Sequence, residues 1–127
     1  MKTIEPRGVR ILGSGSAVPD NILGNEELAK RFDVDIEWIE QRTGIIERHY
    51  CNEGEGTFEL QVSALKNALE NTGLKGSDLS LIICASVTSE MTCPSNACRV
   101  SHEVSAAPAG AFDIVAACSG FVYAMNL

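Results

Sequence analysis

The apolar residues of this chain follow a helical spacing in some stretches and a strand-like spacing in others. In the segment GTFELQVSALKNALENTGL, the residues Phe58, Val62, Leu65 and Leu69 recur three or four positions apart. This spacing places them on one face of a helix and predicts one long amphipathic helix. Gly73, near the end of the pattern, is typical of a left-handed C-terminal cap.

Shorter patterns on both sides predict further helices and strands. The segments NEELAKRF and DIEWIEQR each follow a helix-start pattern with acidic first-turn residues, PSNACRVSHEV predicts a helix with Pro94 at its first position, and RTGIIERHY favours a loop or an extended segment. Three strands are predicted. GVRILGSGSAVPDN favours a strand that ends in a Gly/Ser/Pro loop, LSLIICASV favours a buried strand, and AGAFDIVAA favours a third strand. The alternation indicates an α/β fold with residues 1–127 in one domain.

Charge and hydropathy limit the partners that this sequence favours. Ten Lys and Arg against 17 Asp and Glu give a net charge of -7, which repels nucleic acid phosphates and anionic lipid surfaces. No apolar run approaches the roughly 18 residues needed to span a bilayer, and the N-terminus lacks the apolar region of a signal peptide. We therefore expect no nucleic-acid partner and no membrane partner, and we predict a cytoplasmic protein.

The five cysteines match neither a disulfide framework nor a zinc site. Their number is odd and no C-x-x-C pair occurs, which favours free thiols in a reducing compartment. Cys98 and His102 are one helical turn apart and, with Cys93, are the best candidate metal ligands. Because no fourth ligand is apparent, small buried apolar residues are the favoured interpretation and no metal is predicted.

The glycine-rich segment GSGS at residues 13–16 is similar to the start of a dinucleotide-binding fingerprint. The third glycine of that G-x-G-x-x-G pattern is replaced by Val18, and Pro19 follows immediately. A helix does not begin easily at that point, and no acidic ribose partner is evident further on. The segment is therefore predicted to be a turn.

The predicted strand in AGAFDIVAA leads directly to Cys118, which Ser119 and Gly120 follow. A helix beginning there would direct unpaired backbone N–H groups towards the sulfur and favour the thiolate. The small residues that follow leave room for a thioester. Cysteines at strand ends are also commonly buried and inert, so spacing alone leaves both a nucleophile and an inert thiol open.

Three segments of the chain, in this order, carry a resemblance to a known family: EWIEQRTGIIERHY, with the pattern W-x-x-x-R-T-G-I, VTSEMTCPSNAC, and FDIVAACSGFVYA. They are similar to a signature, to the loop before the second core helix, and to the active-site segment of β-ketoacyl-acyl-carrier-protein synthase III, a thiolase-fold condensing enzyme. The family's nucleophilic cysteine matches Cys118. The resemblance implies the N-terminal half of a thiolase-like fold, a mixed sheet flanked by helices, truncated within the helix after the nucleophile.

The resemblance also implies roles for residues of the other two segments. Trp38 and Arg42 match positions that line the coenzyme A entrance, where an indole faces adenine and a guanidinium pairs with phosphate, and Thr43 lies beside them. Met91 and Cys93 fall in the segment that contributes to the acyl pocket. Many members carry phenylalanine where Cys93 stands, so the usual acetyl preference does not carry over. From the residues alone, Trp38 is a core anchor and Arg42 a surface charge.

The implied reaction has two stages in the full-length enzyme. Cys118 takes an acyl group from acyl-CoA, a substrate and not a permanently bound cofactor, and decarboxylative condensation with malonyl-acyl-carrier protein follows at the initiation of fatty acid synthesis. The family's histidine and asparagine are expected after residue 127, so this chain alone is expected not to condense, whereas the full-length protein is expected to be a homodimer. Two alternatives stay open: another thiolase-fold acyltransferase, such as a polyketide-priming or hydroxymethylglutaryl-CoA-type synthase, and an inactive CoA-binding or self-associating fragment.

Overall fold

The computed structural model describes residues 8–127 and contains two small sheets with five helices around them. In chain order the elements are β1 Asn21–Gly24, α1 Asn25–Phe32, α2 Ile36–Thr43, β2 Glu47–Tyr50, α3 Thr57–Thr72, β3 Leu81–Ala85, α4 Asn96–Glu103, β4 Gly110–Ile114 and α5 Gly120–Asn126. Two 3-10 turns, Gly76–Asp78 and Ala117–Ser119, lie before β3 and before α5. The alternation of helices and strands confirms the predicted α/β class.

The larger unit is a parallel pair of strands with helices packed on it. β3 and β4 pair in parallel from Leu81 opposite Gly110 to Ala85 opposite Ile114, and α4 connects them. The buried cluster of this unit joins α3, β3, α4 and the segment before β4, through Val62, Ile82, Cys84, Ala97, Val100 and Ala106. Burial of these apolar side chains is the main stabilising contribution to the unit.

The smaller unit comprises β1, α1, α2 and β2. β1 and β2 are antiparallel, with Asn21 opposite Tyr50 and Gly24 opposite Glu47. Its buried centre is small and partly polar: Asn25 is buried and donates its side-chain amide to the Ile45 carbonyl oxygen at 2.8 Å. Arg48 donates to the Asn25 side chain at 2.7 Å and to the Leu23 carbonyl oxygen at 3.1 Å. Because these groups satisfy one another, the unit holds a buried amide without an unpaired donor.

The predicted helices are found close to their expected bounds. α1 occupies NEELAKRF, and α2 is displaced by one residue from DIEWIEQR. α3 ends at Gly73, whose φ of 69° is the left-handed conformation predicted for the cap. The prediction that Pro94 is the first residue of α4 is wrong, since the helix begins at Asn96. Ser95, the residue before the helix, is its N-cap, because its hydroxyl accepts the Cys98 N–H.

The strand predicted in GVRILGSGSAVPDN is also wrong, since residues 8–19 have no regular secondary structure. A strand requires a neighbouring strand, and this segment instead lies alongside helix α3. The side-chain amides of Asn67 and Asn71 on α3 donate to the carbonyl oxygens of Ser16 and Ser14. A Cβ on Gly15 would collide with the α3 backbone, so glycine permits the close approach of this segment to the helix. The GSGS segment is irregular and is not the turn that its sequence predicted. The structure also adds the strand β1, which begins at Asn21, the last residue of GVRILGSGSAVPDN.

The strand β3 is buried on one face only, unlike the fully buried strand that its sequence favoured. Ile82 and Cys84 are buried, whereas Leu81, the first residue of the strand, is 46% exposed. Large apolar side chains are also exposed on the last helix, where Phe121 is 72% and Met125 59% exposed. Across residues 8–127, no helix combines the length and the apolar character that a membrane crossing requires.

Candidate active site

Cys118 lies on a tight turn between β4 and α5. The turn Ala117–Ser119 follows β4 after two residues, and Ala117 has a φ of 44°, a left-handed conformation that costs a non-glycine residue about 1 kcal/mol or more. Ser119 donates its N–H to the Ala116 carbonyl oxygen at 3.0 Å and closes the turn. The Cys118 side chain is exposed as a result. The expected helix start at Cys118 is wrong by two residues, since α5 begins at Gly120.

Gly120 brings α5 close to the parallel sheet. A Cβ at this position would lie 3.2 Å from the Ala85 Cβ, so a larger residue would push α5 away from the end of β3. Beside the same helix, an open cleft of about 680 Å³ is lined by apolar side chains of β3, α3 and α5, including Phe121 and Met125. The Gln61 side-chain oxygen, at the edge of this cleft, is buried without a hydrogen-bond partner among the described residues.

Asp113 connects the strand that leads to Cys118 with the start of α4. Its two carboxylate oxygens accept the backbone N–H groups of Asn96 at 2.9 Å and Ala97 at 2.7 Å. A carboxylate at this position satisfies two of the unpaired donors at a helix N-terminus and is stabilised by the helix dipole. The position of α4, and of the loop that precedes it, is therefore fixed by β4.

The predicted pocket residues Met91 and Cys93 lie on the loop 86–95, which connects β3 with α4. Met91 lines a cleft of about 460 Å³, together with Val87 and Ser95 of the same loop and Asp113 and Val115 of the β4 segment. Cys93 is exposed and does not line this cleft. The cleft thus combines Met91 with the segment that leads to Cys118.

Parallel pairing explains why the loop 86–95 and the Cys118 turn share one edge of the sheet. The last residues of the two strands, Ala85 and Ile114, are paired, and Ser86 donates its N–H to the Ile114 carbonyl oxygen at 3.1 Å. Both connections therefore leave the sheet at its carboxyl edge, which is the usual position of ligand sites in α/β proteins.

Trp38, Arg42 and Thr43 lie on the other unit, along α2. Trp38 and Arg42 are four residues apart and therefore share a face of the helix. Trp38 is 53% exposed and lines an open groove of about 800 Å³ between α1 and α2, so it is not the core anchor that the residues alone favoured. The Thr43 hydroxyl donates to the Ile39 carbonyl oxygen at 2.7 Å and accepts the Ile45 N–H at 3.1 Å, which closes the helix end. No hydrogen bond or cleft of the described residues connects these three with Cys118.

The other thiols and the histidines have different environments from Cys118. Burial, assisted by the negative charge of Asp113, raises the pKa of the Cys84 thiol to about 11. His49 is hydrogen-bonded through Nδ1 to the Pro19 carbonyl oxygen at 2.6 Å, and His102 is exposed on α4. Within residues 8–127, no group of three His, Cys, Asp or Glu side chains is arranged to hold a metal ion.

The sequence interpretation did not identify two residues of this region, Asp113 and Glu90. Asp113 stands inside an otherwise apolar strand, and a lone acid there is a signal for a specific hydrogen-bonding task. Glu90 has no such signal, because a glutamate in a polar loop is ordinarily a solvated charge. Its partners, on α3 and α4, become evident only when the chain is folded.

Sequence and structure comparisons find a consistent set of relatives. The chain is 44% identical over 119 residues to the β-ketoacyl-[acyl-carrier-protein] synthase III of Desulfotalea psychrophila. The aligned region covers 94% of this chain and 37% of that protein. No family model matches the chain. The chain spans about 37% of the length of the curated relatives that it matches.

Two solved structures extend the comparison to the fold. The 3-oxoacyl-[acyl-carrier-protein] synthase III of Aquifex aeolicus superposes with a TM-score of 0.89 at 43% identity, over 94% of this chain and 38% of that one. The priming β-ketosynthase of the R1128 polyketide pathway superposes with a TM-score of 0.91 at 34% identity, over 98% of this chain and 37% of that one. The structure described above therefore corresponds to part of a thiolase-like α/β fold.

Proposed function

This chain is a relative of the β-ketoacyl-[acyl-carrier-protein] synthase III family over nearly its whole length, and we propose that its full-length protein is an acyltransferase of that type with Cys118 as nucleophile. The observation that carries the proposal is the exposed thiol on a strained turn at the carboxyl edge of the parallel strands. Strain at a single non-glycine residue is a feature of functional turns. Cys84, by contrast, is buried and its raised pKa disfavours the thiolate.

In the first stage, the Cys118 sulfur attacks the thioester carbonyl of acyl-CoA. A bond forms between sulfur and the acyl carbon, the bond to the coenzyme A sulfur breaks, and the coenzyme A thiolate leaves and takes up the proton of Cys118. The N–H groups of Ser119 and Gly120 are engaged within the turn by Ala116 and Ala117. The Cys118 N–H is therefore the donor of the turn that we assign to the oxyanion.

In the second stage, malonyl-acyl-carrier protein loses carbon dioxide and the resulting carbanion attacks the Cys118 thioester. The new carbon–carbon bond gives a β-ketoacyl-carrier protein, and the Cys118 thiolate is released. The enolate formed on decarboxylation requires electrophilic stabilisation. Neither His49, whose ring is bonded to Pro19, nor His102, exposed on α4, is hydrogen-bonded to Cys118. Residues beyond this chain are thus assigned that step.

The surface of α2 is the proposed contact for coenzyme A. Trp38 presents an exposed indole face suited to stacking with adenine, and Arg42, one turn later, is suited to a phosphate. The acidic Asp35 and Glu37 line the same groove as Trp38 and favour placing the phosphates on the Arg42 side of the helix. Coenzyme A is bound here as part of a substrate and released, and is not a resident cofactor.

Location and assembly complete the proposal. We expect the full-length protein to be a cytoplasmic homodimer, in which the partner would cover exposed apolar side chains such as Phe121. Since the chain carries a net charge of -7, the basic docking surface for the carrier protein belongs to other parts of the full-length protein. Size-exclusion chromatography with light scattering measures this assembly directly.

Trapping the acyl-enzyme tests the proposal. The full-length protein incubated with acyl-CoA alone should gain the mass of one acyl group, which peptide mapping should place on Cys118. The matched variant Cys93→Ala, which also removes an exposed thiol, should retain the acyl group, whereas Cys118→Ala should lose it. An acyl group mapped to another cysteine, or no acylation at all, would contradict the proposed nucleophile.

A second comparison tests the assignment of the condensation step. Residues 1–127 alone should form no β-ketoacyl product from acyl-CoA and malonyl-carrier protein, because the enolate stabilisers are assigned to other residues. Product formation by a purified, monodisperse sample of this chain, measured with radiolabelled malonyl-carrier protein beside the full-length protein, would refute that assignment.

A further inference from the structure

A single carboxylate, that of Glu90, holds the middle of the loop 86–95 against two helices. Its Oε1 accepts the backbone N–H of Phe58 at 2.9 Å, in the first turn of α3. Its Oε2 accepts the Asn96 side-chain amide at 3.2 Å and the Arg99 guanidinium at 3.2 Å, both on α4. The loop is thus tied to α3 through one oxygen and to α4 through the other.

The partners of Glu90 are themselves fixed. Asn96 is fully buried, and its side-chain oxygen accepts a second bond from Arg99 at 3.0 Å. The Arg99 guanidinium carbon lies 3.7 Å from the centre of the Phe58 ring, a cation–π geometry. Phe58 packs against the buried cluster of the parallel unit. The carboxylate therefore meets donors that are themselves held by hydrogen bonds and by packing against the buried cluster.

The backbone at the start of α3 leaves space for this carboxylate. A Cβ on Gly56 would lie 2.6 Å from Glu90 Oε1, closer than a side chain tolerates. A second attachment lies beside the first, since the Thr57 hydroxyl donates to the Thr88 carbonyl oxygen at 2.9 Å. Hydrogen bonds from Phe58, Asn96 and Arg99 lower the pKa of the Glu90 carboxyl, the Phe58 N–H having the largest effect. The anion is thus the form that the site stabilises.

We propose that Glu90 is a positioning residue that fixes the loop 86–95 and thereby sets which acyl groups are accepted beside Cys118. The residue after it, Met91, lines the 460 Å³ cleft together with Val115 of the segment that leads to Cys118. A loop held at Glu90 keeps Met91 in one position, and the cleft then has one size. This inference rests on the proposed acyl transfer, since it concerns the acyl specificity of the same site.

The test compares Glu90→Gln with Glu53→Gln in the full-length protein. Glutamine has one acceptor oxygen in place of two, so it keeps either the bond from Phe58 or the bonds from Asn96 and Arg99, and the loop loses its attachment to one of the two helices. Glu53 is exposed, makes no side-chain hydrogen bond among the described residues, and gives the same change in net charge. Gly56→Ala is a second variant, because its Cβ displaces the carboxylate while leaving Glu90 in place.

Two measurements are made on each variant: amide hydrogen exchange at Phe58 and over residues 86–95, and kcat/KM for a series of acyl-CoA chain lengths. Glu90→Gln and Gly56→Ala should each speed exchange and reduce the ratio between the best and the worst acyl-CoA, by about tenfold for loss of charged hydrogen bonds. Glu53→Gln should change neither. Glu90→Asp, which keeps the charge on a shorter side chain, should retain part of the ratio.

Unchanged exchange in Glu90→Gln would overturn the inference, and so would faster exchange with an unchanged ranking and ratio of acyl-CoA substrates. A uniform fall in kcat/KM for every chain length would equally count against it, because a merely destabilised protein loses activity without changing its preference. Failure of the wild-type protein to acylate Cys118 would refute the proposed function itself, and that result is visible before any Glu90 variant is compared.

Discussion

The two units of this molecule use different means to hold their proposed functional residues. The parallel unit of β3, α4 and β4 has a mainly apolar centre, in which Ala97 and Val100 are essentially inaccessible beside one buried amide, Asn96, and it presents Cys118 on a strained turn. The smaller unit of β1, α1, α2 and β2 has Asn25 at its centre and presents Trp38 on an exposed helix face. The proposed nucleophile thus lies on the unit with the larger apolar centre, and the proposed substrate contact lies on the smaller unit, whose centre contains a hydrogen-bonded amide.

Replacing Cys118 by alanine is expected to have the largest effect and would show whether chemistry belongs to the parallel unit alone. Acyl transfer should fall by at least about 10³-fold because no other group of the turn replaces the nucleophile. The circular dichroism spectrum should not change, since the side chain is exposed. A Cys118→Ala protein that kept more than a few per cent of wild-type acyl transfer would show that the nucleophile lies elsewhere.

A substitution in the buried centre of each unit should lower the free energy of unfolding. Val100→Ala should cost about 2 kcal/mol of unfolding free energy, since two buried methyl groups are removed from the apolar centre. Asn25→Ala should cost about 1 to 3 kcal/mol, because the Arg48 donor loses its acceptor and the Ile45 carbonyl loses its donor.

The location of the loosened region distinguishes these two variants. Hydrogen exchange should increase in β1 and β2 for Asn25→Ala and in β3 and β4 for Val100→Ala. Faster exchange across both sheets in both variants would show that the two units unfold together and would remove the distinction.

Replacing Trp38 by alanine should affect binding and not chemistry. We expect the KM for acyl-CoA to rise by about tenfold, the loss of one aromatic stacking surface, with kcat almost unchanged. Phe32→Ala is a suitable control, because it removes another exposed aromatic side chain from α1 in the same unit. Steady-state kinetics with both variants would contradict the assignment if kcat fell and KM did not change.

Alkaline pH should produce the smallest effect, and only in the parallel unit. The pKa of Cys84 rises from an ordinary 9.0 to about 11 on folding, so the neutral thiol is favoured by the native state. Its contribution to stability is complete below pH 9 and is lost as pH rises towards 11. Urea unfolding from pH 8 to 11 should show this loss in wild type and in Cys93→Ala, but not in Cys84→Ala. An equal slope in all three proteins would exclude the buried thiol as its source.

Much of the local structure could be predicted from the sequence, because local forces decide it. α3 follows from four apolar residues at helical spacing, and Gly73 ends it because a left-handed residue closes the last turn. The helix bounds of α1 were correct for the same reason. The strand prediction for GVRILGSGSAVPDN was wrong. Its apolar residues suit a strand, but no neighbouring strand pairs with them among the described residues.

The site divides in the same way. The α/β class and the position of Cys118 between a strand and a helix could be predicted from the amino-acid sequence, since both depend on the order and spacing of nearby residues. Three features became evident only in the folded chain: the strands pair in parallel, Met91 and Val115 line one cleft, and Glu90 joins the loop to two helices. The strand pairing, the Met91–Val115 cleft and the bond from Phe58 to Glu90 join residues about 24 to 32 positions apart in the chain. No local pattern encodes such a pairing, because only packing brings the partners together.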